Sequence, residues 1–171
     1  MTGNEQQSRQ QFRELIKDIR FAMLTTRGRG GVLHARPMTT QSSPADDEQG
    51  TGQLWFFMSR SSEAAEELTA DPHVNVAYAD TGQDAYVSVS GRARVVDDIA
   101  MKRQLWSKMN EAWFPRGVDD PDLALVRVDM TEAEYWNVTD SKLMQVARIA
   151  LAAVAGDEPP NVGDHVKVRQ V

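Results

Sequence analysis

The chain has 171 residues, of which 41% are apolar and 26% are charged, and its formal net charge is -6. These values are typical of one globular domain, and the acidic balance argues against nucleic acid as a partner because such binding needs a basic face. The chain contains no cysteine, which excludes disulfides and thiolate metal sites and leads us to expect a cytoplasmic protein.

Neither end of the sequence predicts membrane insertion. The first residues lack the basic and then apolar pattern of a secretory signal. The longest apolar run, Ile149 to Ala155, is far shorter than the roughly 20 residues of a membrane helix. We therefore expect no membrane association.

The first third of the chain predicts a helix followed by two strands. Apolar residues recur at helical spacing from Phe12 to Ile19, which indicates an amphipathic opening helix. Phe21 to Thr26 is typical of a buried strand, and the glycines between Arg27 and Gly31 suit a hairpin turn. Val32 to Thr40 is then the returning strand.

The next elements are a loop, a short strand and a short helix. Gln41 to Gln53 is polar, without periodicity, and is predicted to be a surface loop. Leu54 to Met58 is a nearly all-apolar strand. Ser61 and Ser62, followed by acidic residues, form a helix-start pattern, and this helix ends before Asp71.

The clearest strands lie in the middle of the sequence. Val74 to Tyr78 and Ala85 to Val96 alternate apolar with polar residues, so one face is core and the other is polar. Gly91 interrupts the second strand, and an internal glycine often marks a bulge that curves a sheet.

The remaining pattern predicts helices on either side of a last strand. From Ile99 to Trp113 apolar residues recur every four positions, which predicts a helix of about four turns. Leu123 to Met130 alternates again, and Glu134 to Asn137 extends or follows that strand. Ser141 to Val154 is helical by pattern, and the tail after it is predicted to be loosely held.

Consecutive strands outnumber helices in this order, and strict alternation of strand and helix is absent. The pattern therefore predicts a mainly β protein with an antiparallel barrel and not a doubly wound parallel sheet. We divide the chain into one domain, residues 1–155, and a C-terminal tail, residues 156–171.

Five segments, taken in order, resemble the general stress protein 26 branch of the pyridoxamine 5′-phosphate oxidase-like split barrels. The resemblance covers roughly residues 8–155, and its most specific part is the Trp-Phe-Pro-x-Gly segment with the later Glu-Tyr-Trp. The segments are Trp55 to Arg60, Asp71 to Tyr78, Tyr86 to Ala93, Trp113 to Gly117 with Asp120-Pro121, and Ala133 to Trp136.

The resemblance implies a six-stranded antiparallel Greek-key split β-barrel of the FMN-binding type, which forms a homodimer with the cofactor sites between the protomers. It places the flavin ring along the second strand, at Arg36, Pro37, Met38 and Thr39. Pro37 has no N–H, so backbone donors there would have to be its neighbours.

By the same resemblance, the phosphate end of the cofactor would lie where the third strand leads into a helix. Hydroxyl groups, an arginine and free helix N–H groups suit a phosphate dianion. Helix capping explains the serines equally well, and the sequence has Ala64 where the family often has lysine. The implied residues are Phe57, Met58, Ser59, Arg60, Ser61 and Ser62.

Aromatic residues complete the implied cofactor site. Trp113, Phe114 and Trp136 would close the flavin cleft, partly from the opposite protomer, because tryptophan stacks well on a flat ring. Trp113 could instead pack its helix against the core. For Trp106, core packing is the interpretation we favour. The three histidines have no carboxylate or second histidine at ligand spacing in the sequence, which predicts no metal site.

The functional hypothesis is an FMN-binding general stress protein that acts as a flavin-dependent oxidoreductase, with the redox chemistry supplied by the cofactor. No pair of residues is identified as catalytic. The first alternative is a non-catalytic flavin carrier in the stress response. The second is a split barrel that uses the deazaflavin F420 or haem.

Overall fold

The computed structural model describes residues 16–41, 52–137 and, for the backbone alone, 164–169. The predicted opening helix falls mostly outside these ranges, and the predicted helix over residues 141–154 falls wholly outside them. Among the helices that are described, none has the length and apolar character that crossing a membrane requires.

Eight strands, two α-helices and two 3-10 helices form the described part of the chain. The α-helices are α1 (Glu63–Ala70) and α2 (Ile99–Leu105), and the 3-10 helices are Arg29–Gly31 and Lys108–Ala112. The strands are β1 (Ala22–Arg27), β2 (Leu33–Met38), β3 (Thr40–Gln41), β4 (Gln53–Ser59), β5 (His73–Asp80), β6 (Ala85–Val96), β7 (Leu123–Asn137) and β8 (Asp164–Arg169).

All pairings in the sheet are antiparallel, in the order β2-β1-β5-β6-β7-β4-β3, with β8 beside β7. Thr39 alone separates β2 at one end of this order from β3 at the other. Consecutive Cα atoms are about 3.8 Å apart, so the two ends of the sheet must lie close together. The sheet is therefore curled into a barrel, as predicted, and β4 lies beside β7 in Greek-key order.

The barrel interior is filled by alternate residues of the strands, among them Leu24, Phe56, Val76, Val89 and Val126. Tyr78 also lies there, and its hydroxyl is 2.8 Å from the hydroxyl of Thr40 across the barrel. Burial raises the pKa of Tyr78 to about 12, which keeps the phenol protonated.

A second apolar cluster lies on the other face of β4 and β7. Trp55 and Phe57 of β4 pack there with Leu105 of α2 and with Leu123 and Leu125 of β7. Because successive side chains of a strand point to opposite faces, a strand that is buried on both faces must be apolar throughout. This explains the unbroken apolar run of β4.

Gly91 marks a bulge, as predicted. The register between β6 and β7 shifts between Ser90 and Gly91, so that Thr131 is the extra residue on β7. A Cβ atom on Gly91 would lie only 2.7 Å from the backbone oxygen of Asp129. Glycine is thus the residue that allows the two strands to approach here.

Three sequence predictions differ from the structure. The predicted four-turn helix is two shorter helices, because Trp106 takes an extended conformation and its ring packs edge-on against Phe57 at 5.6 Å. The tail is not simply loose, since β8 pairs with the second half of β7. The strand count is eight and not six, because β8 is added and the returning strand is divided at Thr39.

Candidate functional site

A cavity of about 310 Å³ lies between the β2–β3 segment, the end of β4, the start of α1 and the 3-10 helix at Lys108–Ala112. Ten of the thirteen predicted cofactor residues line it, so the fold gathers segments that are far apart in sequence. These are Arg36, Pro37, Met38, Thr39, Phe57, Met58, Ser59, Ser62, Trp113 and Phe114.

The other three predicted residues lie outside the cavity wall. Arg60 points to Asp97, with 2.7 Å between Nη2 and Oδ1. The Ser61 hydroxyl is 3.0 Å from that of Ser59. Trp136 is partly exposed on β7, where its backbone is opposite Tyr86 of β6.

The cavity wall also contains five residues outside the predicted set of thirteen: Phe21, Gln41, Ala64, Met109 and Asn110. Gln41 and Asn110 are 8% and 5% exposed. The Asn110 amide donates to Gln41 Oε1 at 3.1 Å, and the Gln41 amide donates to the Thr39 carbonyl at 3.0 Å. Because carboxamides both donate and accept, this end of the cavity suits a heterocycle with alternating polar atoms.

The main chain of Asn110 also positions the aromatic wall. Its carbonyl accepts hydrogen bonds from the N–H groups of Trp113, at 3.0 Å, and Phe114, at 2.9 Å. The turn leaves Trp113 67% exposed at the cavity mouth, while Phe114 packs against the cluster beneath α2. A large aromatic surface is therefore available at the open side of the cavity.

Arg36 enters the cavity wall from a buried polar cluster centred on Glu67 of α1. Glu67 Oε2 accepts hydrogen bonds from Thr26 Oγ1, at 2.6 Å, and from Arg36 Nη1, at 2.9 Å. His34 Nδ1 lies 2.6 Å from Glu67 Oε1. The other arm of the Arg36 guanidinium donates to Glu63 at 2.8 Å.

This network has a clear electrostatic consequence for Glu67. The Thr26 hydroxyl, followed by the Arg36 guanidinium, lowers the pKa of the Glu67 carboxyl from 4.5 to about 2, although burial acts in the opposite direction. Glu67 is thus ionised at neutral pH and holds Arg36 in place. The sequence pattern did not indicate this role, because Glu67 is one of the acidic residues that follow Ser61 and Ser62 in the predicted helix start.

The fold brings His34, Glu63 and Glu67 together, with ligand atoms within 4.8 Å of one another. The sequence had suggested no carboxylate at ligand spacing from His34, because His34 and Glu67 are 33 positions apart. Arg36 already binds both carboxylates, so the geometry is that of an ion-pair network.

The serine-rich turn between β4 and α1 is occupied by a carboxylate of the chain itself. Asp122 accepts a hydrogen bond from Ser59 Oγ at 2.5 Å and from the Ser61 N–H at 2.9 Å. Ser62 caps α1, since its hydroxyl accepts from the Ala65 N–H at 3.3 Å. The capping interpretation of Ser62 is confirmed, while phosphate binding at this turn stays a prediction.

A family model described as pyridoxamine 5′-phosphate oxidase like matches residues 7–160. The chain belongs to this family. Its relatives include general stress protein 26 of Bacillus subtilis, 28% identical over 78% of this chain and 91% of that protein. Protein bli-3 of Neurospora crassa is 29% identical over 89% of this chain and 73% of that protein.

Among solved structures, a protein of Xanthomonas citri described as a general stress FMN/FAD binding protein is 34% identical to this member of the pyridoxamine 5′-phosphate oxidase-like family. The match covers 80% of this chain and 92% of that one, with a TM-score of 0.67. The resemblance stated from the sequence and the split-barrel fold are both confirmed.

Proposed function

We propose that this protein binds a flavin in the cavity beside β2, with FMN as the first candidate. The observation that carries the proposal is the cavity of about 310 Å³, with aromatic and aliphatic walls and a carboxamide pair at one end. Ligand sites are typically apolar pockets with a few placed polar groups. The name of the Xanthomonas citri relative supports the same class of ligand.

The residues present suit the ring of a flavin. Phe57, Trp113 and Phe114 offer aromatic surface to a flat ring. Gln41 and Asn110 can pair with the donor and acceptors of its pyrimidine edge. β2 is at the end of the strand order in the described sheet, so one side of its backbone has no neighbouring strand and can donate to a ligand.

A bound flavin would supply hydride or electron transfer, and the protein would supply binding and orientation. We propose oxidoreductase activity on this basis. Within the described part of the cavity wall, however, Arg36 is the one side chain that carries a charge, and it is paired with Glu67. This observation favours the second candidate, a flavin carrier without catalysis, which turnover measurements distinguish from the first.

The same wall favours flavins over haem. Haem iron needs an axial ligand such as histidine, cysteine or tyrosine. None of these three residue types lines the cavity among the residues that the structure describes. Methionine is the one potential haem ligand among the described lining residues. The deazaflavin F420 has a flat ring similar to that of FMN and stays an alternative.

We also propose that the site is completed by a second copy of the chain. Phe21, Met109 and Trp113 line the cavity and are exposed, at 44%, 58% and 67%. Such an apolar mouth is typical of a surface that a partner covers, and a homodimer would cover both sites symmetrically. Light scattering that gave the monomer mass of 19.1 kDa would contradict this.

The test of flavin binding is a titration of the purified protein with FMN, F420 and haem, followed by absorbance and fluorescence. We expect FMN to show a shifted absorbance band and quenched fluorescence. Trp113→Ala should weaken FMN binding by about tenfold. The stacking of a nucleobase on an aromatic side chain is worth about 1–3 kcal/mol, and the flat flavin ring would stack on Trp113 in the same way. Ile99→Ala is the control, because Ile99 is similarly exposed at 63% and does not line the cavity.

Two outcomes decide between the candidate functions. No spectral change with any of the three ligands would refute the binding proposal. Steady oxidation of NAD(P)H by the FMN-loaded protein would support the oxidoreductase and exclude a pure carrier. A role in a stress response is proposed from the names of the relatives, and comparison of stressed cells with and without the gene tests it.

A further inference from the structure

Two donors of the polar turn at the phosphate end that the resemblance implies are engaged by a carboxylate of the chain. Ser59 lines the cavity, and its hydroxyl donates to Asp122 Oδ2 at 2.5 Å. The Ser61 N–H, two residues before α1, donates to Asp122 Oδ1 at 2.9 Å. The two oxygens of this carboxylate thus take two of the donors that an anionic ligand group could use.

The chain holds Asp122 firmly in this position. Its N–H donates to Asp120 Oδ1 at 2.9 Å, and its carbonyl accepts from the Arg60 N–H at 2.6 Å. The Ser59 hydroxyl and then the Ser61 N–H lower the pKa of the Asp122 carboxyl, so it is ionised at neutral pH. Its negative charge is therefore a fixed feature of the turn.

The cations near the turn are also paired. Arg60 binds Asp97, with 2.7 Å between the charged atoms, and lies outside the cavity wall. Arg36 binds Glu63 at 2.8 Å and Glu67 at 2.9 Å. A dianion that entered here would meet one carboxylate at its donors and two more around the arginine of the wall.

We propose that Asp122 is a specificity-determining residue that takes the place of a ligand phosphate, so that the site binds flavins through the ring and gains little from a 5′-phosphate. This inference rests on the proposed flavin binding and defines which part of the ligand is recognised. The phosphate must displace Asp122 from Ser59 and Ser61, or bind beside it at the cost of like-charge repulsion.

The experiment compares the dissociation constants of FMN and riboflavin, two ligands that differ only in the phosphate, by quenching of flavin fluorescence. In the unaltered protein we expect the two constants to agree within about threefold, a difference of roughly 0.6 kcal/mol. Because this comparison uses the unaltered protein, its result does not depend on whether a variant folds.

The matched pair of variants is Asp122→Asn and Asp119→Asn. Asparagine at position 122 keeps an acceptor for the Ser61 N–H but removes the charge, so FMN affinity should rise about tenfold while riboflavin affinity stays unchanged. Asp119 lies in the same loop and pairs with Arg103 at 3.0 Å, away from the serines. Its neutralisation should leave the ratio of the two affinities as it was.

Each result supports or overturns the inference. FMN binding more than about tenfold tighter than riboflavin in the unaltered protein would overturn it, while the proposed flavin binding would stand. The inference is also overturned, and flavin binding still stands, if both variants or neither of them change the ratio of FMN affinity to riboflavin affinity. If neither flavin binds to any of the proteins, the proposed function and this inference fail together.

Discussion

Replacement of Glu67 by glutamine removes the charge at the centre of the buried cluster and nearly preserves the shape of the side chain. In the native protein this carboxylate, 7% exposed, accepts from Thr26 and Arg36 and lies beside His34. Glutamine can accept from one of these groups, but its amide hydrogens then face the Arg36 cation. We expect the variant to fold with a clear loss of stability.

The size of the loss follows from the pKa of Glu67. Its fall from 4.5 to about 2 corresponds to about 3 kcal/mol of preference for the ionised form in the folded state. A carboxyl whose pKa is lowered by folding contributes this stability above the unfolded pKa and loses it as pH falls through the folded pKa. The contribution is thus complete above about pH 5 and is gone near pH 2.

The assay is urea unfolding at several values of pH, with Glu66→Gln as the control on the exposed face of the same helix. At pH 7 we expect Glu67→Gln to lower the free energy of unfolding by about 2–3 kcal/mol and Glu66→Gln by less than about 0.5 kcal/mol. The stability of the Glu67→Gln variant should also change less between pH 5 and pH 2, within the interval set by the two pKa values.

Two results would refute this reasoning. One is a loss at pH 7 no larger than that of the Glu66→Gln control. The other is an unchanged dependence of stability on acid pH in the Glu67→Gln variant, which would mean that other carboxyl groups account for the acid sensitivity.

Two further predictions concern the sheet and the second helix. Thermal denaturation should show that Gly91→Ala costs about 1–3 kcal/mol of unfolding free energy, since the added Cβ would lie 2.7 Å from the backbone oxygen of Asp129. Gly82→Ala is the control and should cost little in the same assay, because the nearest atom there belongs to a side chain at 3.2 Å. Asp98→Ala removes the acceptor for the Met101 N–H at the start of α2. It should cost about 1 kcal/mol, and Asp98→Asn, which keeps an acceptor, should restore most of it.

Strand positions were accessible from the sequence because alternation and glycine placement are local signals. The strand over residues 85–96 and the bulge at Gly91 are examples, since both follow from the pattern around them. The division of the helical region after β6 into two short helices could not be predicted from the sequence. Met101, Met109 and Trp113 fit a helical period, but packing of Trp106 on Phe57 is a tertiary contact that overrides it.

The candidate site shows the same division. The resemblance led to most of the cavity wall, because it supplied segments in order along the chain. It could not indicate Asp122 or Glu67, whose roles depend on hydrogen bonds to residues 63 and 41 positions away. A carboxylate that contacts a distant hydroxyl leaves no local trace, so such residues become visible only once the chain is folded.

The single residue between β2 and β3 links the closing of the barrel to its cavity. Arg36, Met38 and Thr39 belong both to the segment that joins the two ends of the sheet and to the cavity wall. A ligand bound in the cavity would therefore stabilise the β2–β3 segment, and local unfolding of that segment would release the ligand. Amide hydrogens of residues 36–41 should then exchange with solvent most slowly when the wall is filled, which makes this short segment an internal reporter of occupancy.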